Sequence, residues 1–210
     1  MDPISILKKH SEHAGAHLRL NASLLEEISK IKLPFTSKNY YAFCDKYITD
    51  EAHEYLFIDG EEKYFREIAT DYETLKYISY LRGLYKKNAV FCDIGCGIGN
   101  IVLYAGKSGF DSFGYEINTG LKPIHKKAKI AVEYGDILKM DLSRLNEADV
   151  IYLYRPINDD RLMNKLFGLI YKHSRDGAII LYNYPHARSL KNYRSILLGE
   201  YEDMVILVKT

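Results

Sequence analysis

One short run carries the residues best suited to chemistry: Ala89-Val90-Phe91-Cys92-Asp93-Ile94-Gly95-Cys96-Gly97-Ile98-Gly99-Asn100, followed by Ile101-Val102-Leu103-Tyr104-Ala105. Apolar residues, an acid, glycines at alternate positions and then an apolar helical pattern read as strand, tight turn and helix. A chain leaving a buried parallel strand must turn sharply into the helix with its backbone against a ligand, and a Cβ would block that approach. A nucleotide-like ligand is therefore expected at the turn, and larger residues at Gly95 or Gly97 are expected to close the pocket. A dinucleotide fingerprint would need a glycine where Asn100 stands, and a carboxylate at Asp93 repels pyrophosphate while attracting an ammonium group.

S-adenosylmethionine carries an ammonium and no phosphate. Asp93-Ile94-Gly95-Cys96-Gly97-Ile98-Gly99 resembles motif I of the class I S-adenosylmethionine-dependent methyltransferases, acid-x-Gly-x-Gly-x-Gly. Three further marks follow in order. Asp111-Ser112-Phe113-Gly114-Tyr115-Glu116-Ile117-Asn118 reads as a second strand ending in an acid, roughly twenty residues past the turn, where such folds set a carboxylate on a ribose diol. Ile130 to Ile137 resembles the family's third strand and Gly-Asp turn, which implies that Asp136 faces the adenine amino group. Ala148 to Pro156 reads as a fourth buried strand running into a polar loop, where the family keeps acceptor-side residues. The resemblance covers residues 86–210 and implies a donor site of Asp93, Gly95, Cys96, Gly97, Gly99, Asn100, Glu116, Ile117, Asp136 and Ile137.

Tyr154, Arg155 and Pro156 are the acceptor-side candidates, because ligands of open α/β sheets sit beyond the carboxyl ends of the strands. Amino-methylating relatives often show an Asp- or Asn-Pro-Pro-Tyr loop here. Tyr-Arg-Pro-Ile departs from it, which argues against adenine or glutamine as acceptor. The glycine run together with Gly114-Tyr115-Glu116-Ile117-Asn118 is also similar to the lysine methyltransferases that modify ATP-synthase c-subunits, whose usual hydrophobic membrane anchor has no counterpart in this sequence. The resemblance thus implies a methyltransferase acting on a protein lysine, with small molecules and RNA as open acceptors. Two other readings are a non-catalytic S-adenosylmethionine-binding adaptor and a nicotinamide-dependent oxidoreductase.

The whole chain has 210 residues, 47% hydrophobic and 27% charged, the composition of a soluble protein with one good core. With a formal charge of +1, no global field recruits nucleic acid or an anionic membrane. Cys44, Cys92 and Cys96 offer no Cys-x-x-Cys pair, so a disulfide framework or zinc site is not expected and a reducing cytoplasm is. No apolar run reaches the eighteen or so residues of a membrane span, and the start does not read as a signal peptide. His10, His13 and His17 would share one face of a helix, but no acid or cysteine completes a ligand set and no metal is expected.

Around the glycine turn, the spacing predicts helix over 4–32 and again over Glu61 to Lys87, with the aromatics of 35–60 read first as a packing layer and otherwise as an acceptor-binding surface. Residues 1–85 are read as a helical cap or flank and 86–210 as the methyltransferase domain. The expected fold is a Rossmann-like, mostly parallel seven-stranded sheet ending in an antiparallel hairpin, Tyr193 to Leu198 with Met204 to Val208. Lys122, His125, Lys126, Lys127 and Lys129 form a basic cluster, read first as a solvated helix face and otherwise as a grip for RNA or an acidic protein.

Overall fold

A computed structural model describes residues 2–14, 17–20, 22–33, 36–40, 42, 74–86, 88–183, 194–197 and 204–209. The N-terminal part runs α1 (Pro3–Lys9), β1 (Ser11–Ala14), β2 (His17–Leu20) and α2 (Ala22–Ser29). Next among the described elements come α3 (Thr74–Leu84), β3 (Val90–Ile94), α4 (Asn100–Lys107), β4 (Asp111–Glu116), α5 (Lys122–Ala128) and β5 (Val132–Tyr134). The chain continues through β6 (Val150–Tyr154), α6 (Asp160–His173), β7 (Ile179–Asn183), β8 (Arg194–Leu197) and β9 (Met204–Val208).

The strands form one sheet in the order β1-β2-β8-β9-β7-β6-β3-β4-β5. Neighbours from β5 across to β7 are parallel, β9 is antiparallel to β7 and β8, and β8 pairs in parallel with β2. The α/β class, the parallel centre and the closing hairpin are those expected. The strand count is not: the sheet has nine strands among the described residues, two of them from the N-terminal segment. That segment was expected to be helical throughout 4–32, but Ser11–Ala14 and His17–Leu20 form an antiparallel pair instead. His13 and His17 consequently sit on paired strands, not on a shared helical face with His10. Local helical spacing loses here to the unpaired edge of β8, which offers backbone donors and acceptors to any extended segment that reaches it. Of the expected Glu61 to Lys87 helix, 74–84 is helical and 61–73 lies outside the described residues, as do 43–60 and the loop 184–192.

Successive strand residues point to opposite faces, so the buried strands feed two cores. Phe91, Tyr152, Ile179 and Leu181 pack with Leu75, Ile78 and Leu81 of α3 and with Ile101 and Tyr104 of α4. Cys92, Ile94, Ile151, Leu153, Ile180 and Tyr182 pack on the other face with Met163, Leu166, Phe167 and Ile170 of α6. Helix α6 starts where Asp159 accepts hydrogen bonds from the N–H groups of Arg161 and Leu162, satisfying donors the first turn leaves open. Among the described residues no helix is long and apolar enough to cross a membrane.

Candidate functional site

The register Asp93↔Gly114 and Ile94↔Tyr115 sets the ends of β3 and β4 side by side. With a side-chain period of two, Asp93 and Glu116 therefore emerge on the same face, diagonally adjacent. Both are buried, with 3% and 7% of their surface exposed. Burial pushes the Asp93 carboxyl well above the usual carboxylate range, and the neighbouring Glu116 pushes it further. Burial also raises Glu116, against the N–H groups of Asn118, Gly97 and Ile117, which favour its ionised form. Neither carboxyl has a Lys, Arg or His ion-pair partner among the described residues.

The glycine turn is fastened to the end of β4 by its own backbone. The N–H groups of Gly95 and Cys96 donate to the Tyr115 carbonyl at 2.9 and 3.0 Å. The N–H of Gly97 donates to Glu116 Oε2 at 2.7 Å, and the N–H of Asn118 to Glu116 Oε1 at 2.8 Å. Gly95, Gly97 and Gly99 all have left-handed φ, at 75°, 50° and 79°, which a side chain disfavours. At Gly95 and Gly99, protein rather than open space faces the bare Cα. A Cβ on Gly95 would lie 2.7 Å from Pro156 Cβ, and one on Gly99 would lie 2.7 Å from Ile130 Cδ1. Gly114 plays the same part in the adjacent strand, where a Cβ would fall 2.6 Å from Cys96 Sγ. Cys96 thus fills the place of the missing side chain, and burial raises its thiol pKa well above the ordinary value.

Each remaining expected site residue has a definite place. Asn100 opens α4, and its Nδ2 donates to the hydroxyl of buried Tyr40 at 2.7 Å, linking the N-terminal segment to the turn. Ile117 is half-buried beside Glu116, and Ile137 is buried in the second core. Burial would raise the Asp136 carboxyl, but the Lys139 ammonium at 2.9 Å and the N–H of Leu138 hold it below its ordinary value. Tyr154 packs against the first core at the end of β6. Arg155 follows at φ 36°, an uncommon conformation for a residue with a side chain, and its Nη2 reaches Asn158 Oδ1 at 3.1 Å. That bend delivers Pro156 onto Gly95, where the acceptor-side candidates meet the glycine turn.

Three residues that sequence reasoning did not place in the site belong to its framework: Asn118, His125 and Tyr134. His125, expected within a basic solvated helix face, is 2% exposed and its Nε2 meets the Gly97 carbonyl at 2.8 Å. Asn118 is 4% exposed; its Oδ1 accepts from the N–H of Gly120, while its Nδ2 is buried with no hydrogen-bond partner. Such an orphaned donor is costly unless a ligand oxygen or ring nitrogen takes it. A buried donor beside two buried carboxyls is a set suited to a molecule carrying both an ammonium group and hydroxyls, and S-adenosylmethionine is one.

Comparison with solved structures decides the fold. An RNA methyltransferase from Salinibacter ruber, in complex with S-adenosyl-L-homocysteine, superimposes with a TM-score of 0.51 at 21% identity, over 68% of this chain and 94% of that one. A candidate caffeoyl-CoA O-methyltransferase from Staphylococcus aureus gives 0.54 at 14% identity, over 83% of this chain and 100% of that one. The fold is that of the S-adenosylmethionine-dependent methyltransferases. The methyltransferase sheet is extended here by β1 and β2. No family model matches the sequence, and no curated protein matches it.

Proposed function

We propose that the protein is an S-adenosylmethionine-dependent methyltransferase whose donor lies across the ends of β3, β4 and β5. The observation that carries this reading is the pair Asp93 and Glu116: two buried carboxyls on one face, framing a left-handed glycine turn, with no cation beside them among the described residues. Asp93 is the group for the donor's ammonium, and ion pairing in a low-dielectric site offsets the burial of its charge. Glu116, already oriented by the N–H groups of Gly97 and Asn118, is the group for the ribose diol. Asp136 is the group for the adenine amino group, with Ile117 and Ile137 flanking the ring and Gly95, Cys96, Gly97, Gly99 and Asn100 forming the floor.

When bound, S-adenosylmethionine supplies an electrophilic methyl on a sulfonium. Tyr154, Arg155 and Pro156 border the acceptor side and hold the incoming nucleophile in line, since positioning and exclusion of water can supply much of the rate. A lysine acceptor must lose its proton before attack. Similarity to the c-subunit lysine methyltransferases makes a protein lysine the first acceptor to test. Residues 86–210 are the methyltransferase domain in this reading, and residues 1–85 flank it, a role supported by the Tyr40 contact to Asn100.

Calorimetry with S-adenosylhomocysteine and with NADH tests the donor, and a methyl-labelled donor incubated with cell lysate tests the reaction. Binding of S-adenosylhomocysteine and label in a protein fraction are expected. Label in RNA or in small molecules would reassign the acceptor. Product binding with no label transfer would leave an adaptor, and exclusive NADH binding would end the methyltransferase reading.

A further inference from the structure

We propose that His125 is a positioning residue for the donor site, clamping Gly97 from the side opposite Glu116, with Tyr134 fixing which ring nitrogen carries the proton. The inference rests on the methyltransferase reading above. Gly97 is held at both ends of its own backbone: its N–H donates to Glu116 Oε2 at 2.7 Å, and its carbonyl lies 2.8 Å from His125 Nε2. A carbonyl oxygen only accepts, so Nε2 must carry the proton and donate. The other nitrogen, Nδ1, is in hydrogen-bond contact with the Tyr134 hydroxyl. Burial lowers the His125 pKa, the Gly97 carbonyl partly opposing it, so the ring is neutral at neutral pH and Nδ1 is the acceptor.

The same ring covers a second glycine of the turn. A Cβ on Gly99 would lie 3.3 Å from His125 Cδ2. The ring is in turn held by its backbone, because the His125 carbonyl accepts from the N–H of Ile130 at 2.9 Å where α5 ends with Lys129 at φ 58°. The Lys122 ammonium sits 4.9 Å from the centre of the Tyr134 ring, which keeps that ring near the start of the helix. Glu116 of β4 and His125 of α5 therefore set the orientation of the peptide groups on either side of Gly97, the groups a donor lying on the turn must read, with Tyr134 of β5 holding the His125 ring. A binding site held to within fractions of an ångström needs such a supporting layer.

The test compares His125→Leu, which leaves the Gly97 carbonyl without its donor, with His125→Gln, whose amide can place an N–H near the position of Nε2. Calorimetric affinity for S-adenosylhomocysteine should fall roughly tenfold or more in His125→Leu, return to within about threefold of the parent protein in His125→Gln, and fall by less in Tyr134→Phe. Nitrogen-15 correlation spectra of the ligand-free protein should show His125 protonated on Nε2, and Tyr134→Phe should mix the two tautomers. Tyr85→Phe is the stability control: it removes the 3.3 Å bond to the Asp149 carbonyl, away from the turn, and should lower Tm without changing affinity. Affinity unchanged in His125→Leu, or lost equally in Leu and Gln, would overturn the proposal. A His125 protonated on Nδ1 would overturn it too, and would do so even if His125→Leu failed to fold. Failure of the parent protein to bind S-adenosylhomocysteine would instead end the methyltransferase reading, with the tautomer still reporting on the clamp.

Discussion

Asp93 and Glu116 crowd two carboxyls into a buried corner, and a raised pKa in the folded state has a definite sign for stability. The contribution is complete below the unfolded value, about 4 for an aspartate, and is lost as pH rises through the elevated folded value. The ligand-free protein should therefore lose stability across that window, and Asp93→Asn should flatten the loss. Affinity for S-adenosylhomocysteine should move the other way, rising with pH as Asp93 ionises to meet the ammonium. Thermal melts and calorimetry between pH 5 and 8, with and without that ligand, check both signs; an equal pH slope in Asp93→Asn would remove Asp93 from the site. These two acids were legible in the sequence because each closes an apolar strand at a spacing that joins the strands in one sheet. His125 was not, since four lysines around it describe a solvated helix and only contact with Gly97, far away in the chain, explains why it is buried.

Among elements, the site depends on what meets α4 at its first residue. The Asn100 amide that opens the helix donates to Tyr40, and both side chains are buried. Tyr40→Phe should leave that amide donor unpaired at a cost of about 1–3 kcal/mol, read as a lower urea midpoint. The accompanying loss of S-adenosylhomocysteine affinity should be larger than in Tyr85→Phe, which lies away from the turn. The parallel strands and the helix after the glycine turn were legible from apolar period and turn residues. The β1–β2 pair was not, because Leu18, Leu24, Leu25 and Ile28 repeat at helical spacing and the partner that makes strand preferable, β8, lies at the other end of the sequence. The Ala14-Gly15-Ala16 run was the local warning, since glycine inside a helix costs about 1 kcal/mol relative to alanine.

At the scale of the molecule, β2 covers the side of β8 that β9 leaves open, so the sheet edge falls at the short β1 strand. Deleting residues 1–20 should expose β8 as an edge and promote self-association, as light scattering would show. The net charge of +1 offers little repulsion to hold such exposed edges apart.

Residues 18 and 19 pair with residues 196 and 197, nearly the full length of the chain away. During synthesis β2 therefore lacks its β8 partner until residues 194–197 are made. Until then the outer side of β2 is open to chaperones or to other nascent chains. Joining β2 to β8 is a contact of long sequence separation, which slows completion of the sheet.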